Sequence, residues 1–459
     1  MNQRTAEWID SRRDAFREML QSWVRTPSVK GEPRPGAPFG GDVRKMLDLA
    51  MKDAREMGFA VRDFDGYACD ITLGDAEEKI AVLGHLDVVP VGDGWTRDPF
   101  GAAEENGRIY GRGSMDDKGP SLAALFAMQA IRETGVPLKK GIRMILGCDE
   151  ESDWKDMEYY SAHERIPDTG FSPDADFPLI NTEKGMLVLE LRAPAAETGL
   201  KILELSTGDR VNVIPGECLA LAEGGEDLVR KTEAFAAKNG WPCTARQTEK
   251  GVLLRTEGIP GHSAYPEGRR NAIGMMLLLL RELGAEGPVA VLAEHVGTES
   301  DGRSLGCACG DEVSGNLTCN LGILRLEKDG WFATLDMRCP VTADQDALKK
   351  NAEDRLKGFD VRTETRKPPH HVPADSELVQ SLLAAYREET GTEGAPMSTG
   401  GGTYAKVLKQ GVAFGALFPG EEELAHQADE YADLDQLILS AKIYANALIR
   451  LAGEHAGSR

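Results

Sequence analysis

The stretch IAVLGHLDVVP (80–90) sets the tightest limit on how this chain can fold. Ile80, Val82 and Leu83 favour an extended strand, and the polar pair His85 and Asp87 arrives where that strand should end. Side chains two apart on a strand share a face, so both can aim into one site. A neutral imidazole binds a metal ion well, and a nearby carboxylate can hold its other ring nitrogen in the right tautomer. A histidine packed in a core is the plainer alternative for His85. The choice depends on whether the rest of the chain supplies further ligands.

The surroundings of that strand alternate. A helix over VRKMLDLAMKDAREMGF and strands near 60–64 and 79–85 are followed by a helix over PSLAALFAMQAIRETG and a strand in GIRMILGCDEES that again finishes in acids. Such an order predicts an α/β fold, in which ligands sit beyond the carboxyl ends of the strands. From about residue 187 the texture changes. LVLELRA, GVLLRTEGI, NLTCNLGILRLE and WFATLDMRCP alternate like strands, with helices EDLVRKTEAFAAKNG and AIGMMLLLLRELG between them. After KPPHHVP come a helix (SELVQSLLAAYREETG), a glycine run (STGGGTYAK) and a last helix (LDQLILSAKIYANALIRLAG). The expected division is a first domain over 1–186 and 375–459, interrupted by an α+β insertion over 187–374.

Charge and composition exclude several classes. With 53 basic and 75 acidic residues the chain carries a formal charge of −22, which repels phosphate backbones and argues against nucleic-acid binding. No apolar run reaches the ~18 residues that a membrane span needs. The opening residues, MNQRTAEWIDSRRDAFREML, read as one amphipathic helix (Trp8, Ile9, Phe16, Met19, Leu20) and not as a secretory leader. Eight scattered cysteines in a long chain read as free buried thiols. The close pair Cys307 and Cys309 lacks the second pair that a zinc site would need. A cytoplasmic location follows as an expectation.

Further acids and a histidine stand at suggestive places. Asp116 and Asp117 lie between a glycine turn and a helix start, as ligands or as a simple helix cap. Glu150 and Glu151 end an apolar strand, where like charges repel unless a cation compensates or water solvates them. Asp174 lies in the turn FSPDADFPLI, and His426 stands between acidic patches in LAHQADE; structural or surface roles are the plain alternatives.

Taken together, GHLDVVPVGDGW, IYGRGSMDDKGP, DWKDMEYY, PDADFPLINTEKG, VNVIPG, GGGTYAK and HQADEY resemble, in that order, the M20 family of dinuclear metallopeptidases, nearest its PepV-like and Sapep-like dipeptidases. The resemblance implies a mixed-sheet, phosphorylase/hydrolase-like metallopeptidase domain with an inserted α+β lid in its longer, duplicated form. It also implies the roles of individual residues. His85 and Asp174 would serve one metal ion, Glu151 and His426 the other, and Asp116 would bridge them, with a cis peptide bond after it. Asp87 would orient His85, and Glu150 would be the general base. His262 would donate to the oxyanion, while Asn212 and Arg338 would hold the substrate and its carboxylate, with backbone amides of Gly401 and Thr403 close by.

An Asp at position 174 resembles the family's aminopeptidases and dipeptidases, where Glu marks carboxypeptidases. The implied cofactors are two divalent cations, Zn²⁺ first, with Mn²⁺ or Co²⁺ also compatible with the donor set. The implied activity is hydrolysis of dipeptides or short peptides with a free amino terminus, by a catalytically self-sufficient monomer. A same-family deacylase of N-acyl amino acids is the alternative enzyme, and a binding protein that has lost catalysis the alternative from another class. Cys148 and Asp149, in GCDEES, depart from the family pattern and put metal affinity or oxidation sensitivity in question. His163, His295, His370, His371 and His455 receive no ligand role, and those of His370 and His371 stay open.

Overall fold

The computed structural model describes residues 3–195 and 199–453. The chain forms two compact units. The first runs through Asn181, resumes over Val372–Met397 and again from Gly402; the second comprises Thr182–His371 with Ser398–Gly401. The chain thus changes unit at 181/182 and 371/372, against the expected 186/187 and 374/375. It also places four residues of the glycine run with the second unit, a split that the three-part reading did not include.

The first unit is built on a mixed sheet. Its strands lie in the order Ala60–Phe64, Ala68–Leu73, Gly141–Gly147, Lys79–His85, Thr169–Ser172 and Gln410–Ala413, with Ile180 paired at the far side. The first two are antiparallel to their neighbours, and the centre is parallel. Lys79–His85 is buried from Ile80 onward, because neighbours flank it on both edges and helices cover the sheet. Lys118–Glu133 and Leu434–Ala452 carry much of that cover, through Leu122, Phe126 and Ile131 on one and Leu437, Tyr444 and Leu448 on the other. Gly84 is required where it stands: a Cβ there would run into Ser121 Oγ and Asp117 Oδ2, so the strand can approach the helix start only as glycine.

Two details differ from the sequence reading. The opening segment forms two helices, Gln3–Ser11 and Arg13–Val24, separated at Arg12; Ile9, Phe16 and Leu20 are buried, while Trp8 and Met19 pack only partly against the core. Strand Ala68–Leu73 escaped detection because it carries Asp70 into the interior. That charge is satisfied by Arg62 Nε at 3.0 Å and Tyr160 Oη at 3.0 Å, partners that no local pattern reveals.

The second unit has an eight-stranded, wholly antiparallel sheet. Its order is Cys243–Thr248, Gly251–Glu257, Glu217–Ala222, Ile202–Thr207, Thr318–Glu327, Gly330–Cys339, Gly185–Ala193 and Asp360–Lys367. Helices Ala272–Glu282 and Gln345–Arg355 belong to one continuous core with it, through Met275, Met276, Leu279, Leu348 and Ala352. Asn271 begins the first of these helices: its side-chain oxygen accepts from Ile273 N at 2.9 Å and Gly274 N at 3.2 Å. The eight cysteines are free, seven of them buried; Cys309 is exposed, contrary to the expectation that all lie inside.

Candidate metal centre

Five separate segments of the first unit bring side chains together. His85, 1% exposed, closes strand Lys79–His85, and its Nδ1 lies 2.9 Å from the Asp87 carbonyl. A carbonyl only accepts, so Nδ1 donates, and the lone pair of a neutral ring falls on Nε2. Nε2 is 3.0 Å from Asp116 Oδ1 and 3.6 Å from Asp174 Oδ2. The other Asp116 oxygen, Oδ2, is 3.0 Å from His426 Nε2, which in turn lies 3.0 Å from each Glu151 oxygen. Two trios result, His85–Asp116–Asp174 and Asp116–Glu151–His426, each with ligand atoms within 4.8 Å of one another. One carboxylate belongs to both.

The turns that carry Asp116 and the Glu150–Glu151 pair are held by buried carboxylates that accept backbone N–H groups. Glu430 accepts from Gly113 N at 3.2 Å, Met115 N at 3.0 Å and Asp116 N at 3.2 Å, and is paired with buried Arg112 at 2.7 Å. Asp87 accepts from Glu150 N at 3.1 Å and Glu151 N at 3.2 Å. Its carboxylate is 3.5 Å from His85 Nδ1, farther than its own carbonyl, so the role expected for it is shared: the carbonyl orients the imidazole and the carboxylate fixes the acid pair. Asp156 accepts from Cys148 N at 2.6 Å and Asp149 N at 2.8 Å. The peptide bond between Asp116 and Asp117 is cis. Asp117 turns away from the trios, accepting from His85 N at 3.1 Å and Ser121 Oγ at 2.8 Å.

The electrostatics are those of too many acids in one place. Burial, joined by the charges of Asp174 and Glu151, pushes the Glu150 carboxyl well above the carboxylate range. Burial and the Asp116 charge do the same to Asp174, and raise Glu151 to about 7. Burial opposes charge on both histidines, yet Asp116 and its neighbours outweigh it and raise His85 strongly and His426 to about 11. Glu150 Oε1 is buried with no hydrogen-bond partner. These observations fit divalent cations: each trio offers one imidazole nitrogen and two carboxylates, and positive charge would relieve the mutual repulsion.

Other expected residues are placed differently. His262 is exposed in the second unit, on the short strand Gly261–His262 paired with Val213. Asn212, in that same unit, accepts through its backbone carbonyl from Ser263 N at 2.9 Å. Arg338 is buried, and its fork is already engaged: Nε and Nη2 donate to Asp336 Oδ2 at 3.2 and 3.0 Å, and Nη1 to Gly400 O at 3.0 Å. An open carboxylate clamp is therefore not its arrangement here. The Gly401 amide, expected to be presented, donates to Thr399 Oγ1 at 3.0 Å. Thr403 lies in the first unit, where its hydroxyl accepts from Ala405 N at 3.1 Å and starts the turn Tyr404–Val407.

Cys148 is wholly buried with its thiol pushed well up by burial, the surroundings of an unreactive structural cysteine. Asp149 is taken by Lys30 Nζ at 2.6 Å. His371 Nδ1 is 2.9 Å from Thr182 Oγ1, and His163 donates to Tyr159 O at 2.8 Å, both structural contacts. His370 pairs with Glu183 in the sheet, His295 Nδ1 lies 3.3 Å from Ser304 O, and His455 lies outside the described residues. Glu430 and Asp156 were missed as functional residues, although both stand inside quoted motifs, HQADEY and DWKDMEYY.

Two imidazoles and three carboxylates gathered beside the carboxyl ends of the central strands of a mixed sheet have the donor set of a hydrolytic metal centre. The profile described as "Peptidase family M20/M25/M40" matches residues 81–450, and the chain belongs to that family; it is a metallopeptidase. A Bacillus subtilis (strain 168) relative named "Putative dipeptidase YtjP" is 39% identical over 97% of this chain and 99% of its own length. The "Beta-Ala-Xaa dipeptidase" of Lactobacillus delbrueckii subsp. lactis is 35% identical over 89% of this chain and 88% of its own. Among solved structures, the Saccharomyces cerevisiae dipeptidase Dug1p shares the fold with a TM-score of 0.60 at 14% identity, covering 97% of each chain.

Proposed function

We propose that this chain is a metal-dependent dipeptidase that cleaves the peptide bond of short substrates with a free amino terminus. The observation that carries the reading is the pair of trios sharing Asp116, with the unpartnered Glu150 oxygen beside them. The dipeptidase names of relatives alignable over nearly the whole chain support the substrate class.

In this reading His85, Asp116 and Asp174 hold one divalent cation, and Asp116, Glu151 and His426 a second, Zn²⁺ being favoured by the imidazole–carboxylate set. When bound, such cations lower the pKa of water and polarise the scissile carbonyl. Glu150, unligated, takes the proton from the attacking water and returns it to the leaving amine. Asp87 keeps Glu150 and Glu151 apart in function by fixing both backbones, so that one acid faces His426 and the other stays free. By the family resemblance, His262 would serve the developing oxyanion, and Asn212 and Arg338 the substrate. The chain works as a monomer in a reducing compartment, consistent with eight free cysteines. Among the described residues no helix is long and apolar enough to cross a membrane.

The test is a panel of unblocked dipeptides and their N-acetylated forms, assayed after loading with Zn²⁺, Mn²⁺ or Co²⁺. Turnover of the free dipeptides, none of the acetylated forms, and loss of both metal and activity on chelation are expected. Turnover of N-acyl amino acids alone would make the chain a deacylase instead.

A further inference from the structure

Tyr404 ends the motif GGGTY, yet nothing in the proposed chemistry uses it. It is fully buried in the first unit. Its hydroxyl donates to Asp156 Oδ2, the same oxygen that accepts the amides of Cys148 and Asp149, the two residues that lead into Glu150. The other Asp156 oxygen accepts from Met157 N at 2.6 Å, so this carboxylate is fully occupied in bracing the turn. Space is exhausted as well: a Cβ at Gly147 would collide with both Asp156 Oδ2 and the Tyr404 hydroxyl.

On the far side of the turn, Trp154 Nε1 donates to the Glu150 carbonyl at 2.8 Å, and the Trp154 and Tyr404 rings meet edge-on at 5.4 Å and 69°. The Tyr404 ring also stands perpendicular to the His85 imidazole at 6.4 Å. The backbone of Glu150 is therefore fastened at three points. Asp87 holds its N–H, Trp154 its carbonyl, and Asp156 with Tyr404 the two residues before it.

We infer that Tyr404 is a positioning residue for the base: its hydroxyl completes the Asp156 brace, and the brace sets where the Glu150 carboxylate stands. It touches neither substrate nor cation, so its effect reaches the reaction only through Glu150. A misplacement of the order of 1 Å at a reacting group costs about a hundredfold in rate. The inference rests on Glu150 being the general base.

The experiment uses the full-length, metal-loaded enzyme. Tyr404→Phe keeps the ring and removes only the hydroxyl; kcat should fall about ten- to a hundredfold, with KM within about twofold and metal content unchanged. Trp154→Phe, which removes the indole donor to Glu150, is the second variant and should lower kcat in the same manner. In a Glu150→Asp background, where the base is already displaced, Tyr404→Phe should change kcat by less than about threefold. Wild-type kcat in Tyr404→Phe, a loss of metal, a rise in KM alone, or a full additional loss in the Glu150→Asp background would each overturn the inference. Glu150→Ala in the same series separates the two claims. If it keeps wild-type turnover, the base assignment fails; if it is inactive while Tyr404→Phe is unaffected, only the positioning role fails.

Discussion

The adjacent glutamates beyond strand Gly141–Gly147 have different surroundings. Glu151 lies 3.0 Å from His426 Nε2, whereas Glu150 keeps a buried oxygen without a partner. Glu150→Ala should lower kcat by about 10²–10⁴-fold with metal retained, and Glu151→Ala should lose metal as well as activity; kinetics paired with elemental analysis reads both. If Glu150→Ala loses its metal, Glu150 is a ligand. Much of this was legible in the sequence, since His85, Asp116, Glu150 and Asp174 stand at strand ends or turns where unpaired polarity asks for a reason. Glu430, Asp156 and Tyr404 were not. Their task is to accept or supply hydrogen bonds around backbone amides, and that leaves no spacing or residue-type signature. A fork that suits a substrate carboxylate, as in Arg338, suits the neighbouring Asp336 equally well, and that partner is not readable from the sequence.

At the level of elements, Asp311 governs a short hairpin of the second unit, Gly310–Asp311 with Gly315–Asn316. Burial alone would raise its carboxyl, but hydrogen bonds from Ser314 and Thr342 outweigh it and hold the group well below the usual range. A carboxylate depressed in the fold stabilises it above the unfolded value of about 3.9 and loses that contribution as pH falls below it. Asp311→Asn should therefore flatten the fall in melting temperature between about pH 5 and pH 2, read by thermal melts across that window. An unchanged slope would refute the assignment. Asn271 offers a second check. It caps helix Ala272–Glu282 and also donates to Asn320 Oδ1 at 3.0 Å and Leu321 O at 2.9 Å, so Asn271→Ala should cost about 2 kcal/mol in denaturant melts. Helices of this kind were readable from apolar periodicity. Strands such as Ala68–Leu73 were not, because their inward polar residue is satisfied from distant parts of the chain.

For the molecule as a whole, the change from mixed α/β texture to alternating strands was visible along the sequence, since parallel strands buried on both faces and half-exposed antiparallel ones differ in pattern. The return of Ser398–Gly401 to the second unit was not, because four residues of a glycine run carry no periodicity. A centre crowded with buried acids also makes the folded state depend on its cations. Chelation should lower the melting temperature, and adding back Zn²⁺, Mn²⁺ or Co²⁺ should restore it. The central claim, one carboxylate shared by two cation sites, is most directly tested by metal stoichiometry measured by elemental analysis on the loaded chain and its variants. About two divalent ions per wild-type chain, about one in His426→Ala and fewer than one in Asp116→Ala are predicted. A single ion per wild-type chain, or two ions surviving the loss of Asp116, would contradict it.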